Sequence, residues 1–560
     1  MLILLGLACA ESFHTQGLGI ASIAILGAGL WIAFRRKTFA GLPNIGLQDV
    51  AWWEWLALLG SAIAVMMMAW RFPGHWDDTA YHLPLARTIV EHQGLVANEW
   101  LRFPYFPAYA QLLFAAGLLL DASLAQWLAT WPVVMTLLGL MGASRWLAGH
   151  AVWGCVAWSL YVSRPMVSQI LGFAYVDETL ALLCMAALLA AAVWVQSEAS
   201  NRQRWLILAG MFAGLAGGVK LHGVVAAAAI GLGVLCFSGS VRQALRNGWW
   251  YGLCCVLVAG FWYLRSYWVT GDPIHPAGGR FFGFYLWTPQ DLANQMAEQA
   301  THGVPRHWVN FGAALAQVEV LFLLALFALP LFRFWRKPVW KLIWLVLLVL
   351  LLFWFWTSQV DRYLMPVLPL GSLAVLMLLK ESLTWLQRRW QLQEWQISLV
   401  GLASSTSALL VTGHFLWTAW SDFRDRPSMQ AQQQARSEVV LLQHAAELRA
   451  QFGNRILNFG YENAVFHYTG QLIGDWFGIA SFFRAAECSV GCELNSVQKV
   501  EHVMRTLDAP MVLIHSKRFR FNEAEFSSRF KLLEKRGDAY LYSLPEQATQ
   551  AADSPVLAPG

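Results

Sequence analysis

Trp340-Lys341-Leu342-Ile343-Trp344-Leu345-Val346-Leu347-Leu348-Val349-Leu350-Leu351-Leu352-Phe353-Trp354-Phe355-Trp356 carries a single charge, the lysine at its second position. The run approaches the roughly 20 residues that cross a bilayer core. A core helix of a soluble domain would be shorter and amphipathic. Residues 18–34, 52–70, 179–195 and 397–416 read the same way. Across all 560 residues, 57% are hydrophobic and only 13% charged, against about 25% charge in a soluble domain. So few charges cannot cover a water-soluble surface of this size.

In chain order the predicted spans are 18–34, 52–70, 124–141, 152–162, 179–195, 205–217, 224–237, 249–263, 311–331, 340–356, 363–379 and 397–416. The fold class is an all-α polytopic membrane bundle of about 11–13 spans. Many of the 31 tryptophans sit at span ends, where amphipathic indoles prefer to lie. The net charge of +5 gives no nucleic-acid footprint. The N-terminus lacks a basic start before its apolar run, so no cleaved signal peptide is expected.

Basic residues orient the bundle. Arg35, Arg36, Lys37, Arg145, Arg202, Arg204, Arg242, Arg246, Arg333, Arg336, Lys337, Lys341, Lys380, Arg388 and Arg389 fall in alternate loops, which belong in the cytoplasm. The alternation holds only if 106–120 does not cross, so this stretch is expected to lie on or dip into the outer surface. The loop 71–123 is then external. So are 163–178, 266–310, 357–362 and the chain after Trp420.

Composition changes abruptly there. Residues 455–459, 511–515 and 539–543 read as short strands, and 431–451 and 496–507 as amphipathic helices. The expected organisation is a membrane domain over 1–420, a small external α/β domain over 421–546, and a polar, disordered tail over 547–560. Of eight cysteines, six lie in apolar spans as small hydrophobes. Cys488 and Cys492 lie in the external domain, where an oxidising compartment would permit a disulfide.

Charge at membrane depth is costly and faces a cavity or a partner. The first external loop opens Gly74-His75-Trp76-Asp77-Asp78-Thr79-Ala80-Tyr81-His82, with two carboxylates between two histidines. Its functional reading is a general base or a metal ligand; its structural alternative is a helix cap. A second acidic pair, Asp177-Glu178, stands at the outer end of a span. Lys220 and His222 interrupt an apolar run, Arg265 ends a span, and Arg362 stands in Asp361-Arg362-Tyr363-Leu364-Met365-Pro366. Each cation alone reads as a snorkelling side chain. Together with the acidic pairs they form a candidate site for an anionic lipid headgroup.

These motifs, in this order, resemble those of GT-C glycosyltransferases, which include protein O-mannosyltransferases and the lipid A aminoarabinose transferase. The resemblance runs over about residues 50–420. It rests on His75 to His82, on Tyr175-Val176-Asp177-Glu178 and on Gly218-Val219-Lys220-Leu221-His222-Gly223. It continues in Trp262-Tyr263-Leu264-Arg265 through Gly271-Asp272-Pro273 and in the Arg362 motif. Two departures stand out: Pro104 and Pro107 are separated where many members have a Pro-Pro pair, and Asp272-Pro273 replaces the usual Asn-Pro.

The resemblance implies transfer of a sugar from a polyprenyl-phosphate donor to an envelope glycan, lipid or protein, in the bacterial plasma membrane with the C-terminal domain periplasmic. Lys220, Arg265 and Arg362 would neutralise the departing phosphate. Asp78, ahead of Asp77, would act as base in an inverting displacement, with Asp177 orienting the acceptor or completing a divalent metal site with the first acidic pair. Some family members use a divalent metal, for which His75, His82 and Glu178 are candidate ligands, and others do not. The rival readings are a transporter of lipid-linked sugars and a non-catalytic envelope assembly protein.

Overall fold

The computed structural model describes residues 1–18, 51–197, 199–318, 320–331, 333–390, 394–481, 492–494 and 496–545. The predicted span 18–34 beyond Leu18, the Cys488–Cys492 pairing and the tail 547–560 lie outside the described residues. The chain divides into two compact units, Met1–Asn98 with Phe103–Arg426, and Glu99–Arg102 with Pro427–Gly560.

The first unit is helical. Among the described residues, six helical segments are long and apolar enough to cross a membrane: Trp52–Ala69, Ala122–Ala148, Asp177–Gln196, Val241–Thr270, Pro338–Trp356 and Asp361–Trp390. Shorter apolar helices, Tyr109–Leu118, Val152–Val162, Leu221–Cys236 and Phe322–Leu331, fill between them. The Asp177–Gln196 helix is central, packing on Ala199–Gly217, Pro132–Ala148, Leu221–Cys236 and Pro338–Trp356. It tolerates burial because almost every residue after Glu178 is apolar. The segment Ala122–Ala148 divides at Trp131 into Ala122–Thr130 and Pro132–Ala148, where Pro132 lacks the N–H that would continue the ladder.

The stretch 106–120 forms a single helix, Tyr109–Leu118. Ten residues rise only about 15 Å, half a bilayer core. Most of its residues are buried within the unit. Tyr109 N–H donates to the Gly218 carbonyl at 3.0 Å and its hydroxyl to the Val258 carbonyl at 2.6 Å. Gly218 permits this approach, since a Cβ there would strike the Tyr109 ring.

The two ends of the bundle differ chemically. At one end Arg145 pairs with the buried Glu54, and Lys380 Nζ donates to the Ala148 carbonyl at 2.8 Å. The other end gathers Asp77, Asp177, Lys220 and Arg362.

The second unit is built on a five-stranded sheet. Its strands are β1 (Arg455–Phe459), β2 (Gln471–Ile473), β4 (Met511–His515), β6 (Lys531–Arg536) and β7 (Ala539–Ser543), in the order β2-β1-β4-β7-β6. β1 is parallel to β2 and β4, while β7 is antiparallel to β4 and β6. A separate parallel pair joins β3 (Cys492–Glu493) to β5 (Phe519–Arg520). The Val497–Thr506 helix buries Val497, Val500, Val503 and Met504 in one core, and Leu441, Leu442 and Ala445 of Ser437–Glu447 lie in another. The helix expected over 431–451 is broken into Met429–Gln434, Ser437–Glu447 and Arg449–Phe452. Trp100 packs against the first core and Arg102 pairs with Asp475, which ties Glu99–Arg102 into this unit.

Candidate active site

The site begins where the Trp52–Ala69 helix ends. Arg71 Nε donates to the Met68 carbonyl at 2.6 Å, and its guanidinium lies 4.6 Å over the Phe173 ring. Gly172, with φ +87°, lies so close to Met68 that a Cβ would strike its carbonyl. Its own N–H and carbonyl are held by Thr130 Oγ1 and Gln126 Nε2, each at 3.0 Å. This clamp fixes the segment that leads to Tyr175 and Asp177 beside the loop that carries Asp77.

The residues Asp78–His82 wind into a wide turn, closed by Leu83 N–H on the Asp78 carbonyl. Such i→i+5 turns are rare and collect at functional sites. Asp77 N–H donates to the Tyr175 hydroxyl at 3.2 Å, and His75 Nδ1 is hydrogen-bonded to the same hydroxyl. Tyr175 thereby sets the position of Asp77, whose carboxylate lies 2.6 Å from the Arg362 guanidinium. The Asp177 carboxylate lies 2.9 Å from Lys220 Nζ. Arg362 stacks over Tyr175 at 5.1 Å and Lys220 over Tyr363 at 4.6 Å. Side-chain exposure is 22% for Arg362 and 17% for Lys220, against 9% and 2% for Asp77 and Asp177. A ligand entering this cluster therefore meets the cations first.

Burial alone would raise the Asp77 pKa, but the Arg362 charge outweighs it and holds the carboxyl below the usual carboxylate range; His82, Lys220 and a hydrogen bond from Tyr81 act in the same direction. His82 is driven down to about 4, first by burial, with Asp77 opposing; its Nδ1 is hydrogen-bonded to Gln111 Nε2 at 2.9 Å. Burial likewise lowers His75. Both imidazoles are therefore neutral at pH 7.

The structure brings Asp77, Asp177, Lys220, Arg362, His75 and His82 into one network. Asp78, directly after Asp77, is fully buried, and its charge acts on Arg71 and Tyr175. Glu178 is buried against the Tyr161 hydroxyl, which donates to it at 2.9 Å. Arg265 lies 5.4 Å from the Tyr105 ring. Among the described residues no three His, Cys, Asp or Glu side chains gather as a metal site requires. Asp77 and Asp177 are each committed to a cation and His75 to Tyr175, so this donor set does not fit a divalent metal.

Sequence reasoning passed over Tyr81, Tyr175, Tyr363, Gln111 and Tyr161. The first three lie inside the quoted motifs, beside the charges they hold. Gln111 is a lone amide in an apolar run, a weak signal, and Tyr161 gives none.

The bundle with this cluster at one end has the GT-C fold. ArnT from Cupriavidus metallidurans matches it in the apo state with a TM-score of 0.55 and 14% identity, over 87% of this chain and 97% of that one. The same protein bound to undecaprenyl phosphate matches with a TM-score of 0.53 and 14% identity, over 88% and 98%. The chain belongs to the family of two Shigella flexneri proteins, SF2093/S2215 and SF2092/S2214. It is 43% identical to the first over 151 residues, 76% of that protein and 27% of this chain, and 40% identical to the second over 132 residues, 68% and 22%. A family model described as SF2091/S2213 matches residues 433–543, within the sheet unit.

Proposed function

We propose that this protein is a membrane glycosyltransferase that moves a sugar from a polyprenyl-phosphate donor to an envelope acceptor by a single inverting displacement. The observation that carries the reading is the pair of ion pairs, Asp77 with Arg362 and Asp177 with Lys220, at one end of a GT-C bundle. A phosphate is a good leaving group and needs charge stabilisation more than a general acid. Arg362 and Lys220 are the more exposed partners, so the donor phosphate would engage them and loosen their hold on the two carboxylates. Asp77 would then take the proton of the acceptor hydroxyl as its oxygen bonds to the anomeric carbon. The bond from that carbon to the phosphate oxygen breaks, and its electron pair leaves with the phosphate, neutralised by the two cations.

Asp77 is favoured over Asp78 as base because it joins the cation network and retains slight exposure, whereas Asp78 has none. Asp177 would orient the acceptor. The ArnT complex with undecaprenyl phosphate supports a polyprenyl donor. The arrangement of basic loops supports a plasma-membrane protein whose sheet unit is periplasmic. Incubating the purified chain in detergent with polyprenyl-phosphate sugars and an envelope extract tests the reading. Covalent transfer supports it; movement of the donor across vesicles without transfer would replace it with a carrier.

A further inference from the structure

A concavity of about 490 Å³ opens between the ends of the Trp52–Ala69 and Val152–Val162 helices and the Glu394–Asp425 helix. Its volume falls in the ordinary range for ligand pockets, about 300–1,000 Å³. Met68, Leu171, Val411 and Phe415 give it an apolar floor, and Arg71, Gln169, His414 and Asp422 give it a polar rim. Arg71 is shared between this rim and the loop of Asp77, and neither ion pair of the cluster lines it.

The rim carboxylate, Asp422, is a replaceable anion between two fixed cations, Arg71 in the rim and Arg426, four residues after Asp422 and paired with it. Arg71 is held by the Met68 carbonyl, and Arg426 by the Met67 and Trp70 carbonyls at 3.1 and 2.7 Å. Both guanidiniums point at Asp422, Arg71 at 2.8 Å. Asp422 itself is 53% exposed, so a carboxylate half in water stands between two anchored arginines. Burial and the Arg426 charge pull the Arg71 pKa down to about 10, more than Asp422 and Asp78 restore. The guanidinium pair is under-neutralised, and a phosphate offers more oxygens and more charge than one carboxylate.

We infer that this cavity binds an anionic lipid, its phosphate on Arg71 and Arg426 in place of Asp422 and its first methylenes along Met68, Val411 and Phe415. A soluble anion would gain nothing from the apolar floor, which lies at the end of three apolar helices. The rim would reach the catalytic loop through Arg71, so lipid occupancy would bear on the setting of Asp77.

Native mass spectrometry of the full chain with dioleoylphosphatidylglycerol tests this, with inorganic phosphate as the competing probe. One lipid should remain bound after the looser ones are stripped. Val411→Trp, which fills the floor, should weaken its retention at least tenfold. Asp422→Asn, which removes the internal competitor, should strengthen it severalfold, a gain that misfolding would not produce. Unchanged retention in Val411→Trp, weaker retention in Asp422→Asn, or displacement by inorganic phosphate at the lipid's own concentration would each overturn the assignment.

Discussion

The Asp77 carboxylate lies 2.6 Å from the Arg362 guanidinium, joining the first loop of the bundle to the start of its Asp361–Trp390 segment. Removing one partner of a buried pair leaves an uncompensated charge, at a cost of about 3–5 kcal/mol; partial exposure of Arg362 puts this pair at the lower end. Arg362→Met should lower the melting temperature and abolish transfer, and Arg362→Lys should recover stability more than activity. Thermal melting beside a transfer assay checks both.

Asp77→Asn keeps the shape of the side chain and removes the base. Turnover should fall by about 10²–10⁴, with donor binding retained. Asp78→Asn should cost less turnover. Single-turnover kinetics on the two variants decides between them: full activity in Asp77→Asn with loss in Asp78→Asn would move the base to Asp78.

Lys220 is the outer partner of Asp177. Lys220→Gln should raise the KM for the polyprenyl-phosphate donor more than it lowers kcat, and Lys220→Arg should restore part of the loss. Initial rates over a donor series read out the split.

His82 gives the protein a pH signature. Its folded pKa is about 4 against an ordinary 6.5, so between these values the unfolded chain binds a proton that the folded one does not. Stability therefore falls as pH drops from about 6.5 to about 4. Melting temperatures of wild type and His82→Gln across this range should converge at low pH, because the variant lacks the titrating ring. Parallel curves would place the pH dependence elsewhere.

Much of this architecture was legible because the membrane penalises charge. Asp77, Asp177, Lys220 and Arg362 stood out as the ionisable groups in apolar surroundings, and the structure draws them together. β1, β4 and β7 have the expected bounds because they are short apolar runs between polar turns. β6 was not legible: Lys531-Leu532-Leu533-Glu534-Lys535-Arg536 lies at a sheet edge with a register shift between Leu532 and Glu534, so it does not alternate. Nor could spacing reveal which acid pairs with which cation, or that Arg265 turns to Tyr105, because those partners meet only through helix packing. The wide turn at Asp78–His82 likewise has no sequence signature.

The most direct test of the central claim is mass spectrometry of envelope glycans and lipids from a deletion strain, complemented with wild type or with Asp77→Asn. One sugar substituent should be missing from the deletion strain and from the Asp77→Asn strain, and be restored by wild type. Identical envelope sugars in all three strains, or restoration by Asp77→Asn, would contradict a transferase working through this site.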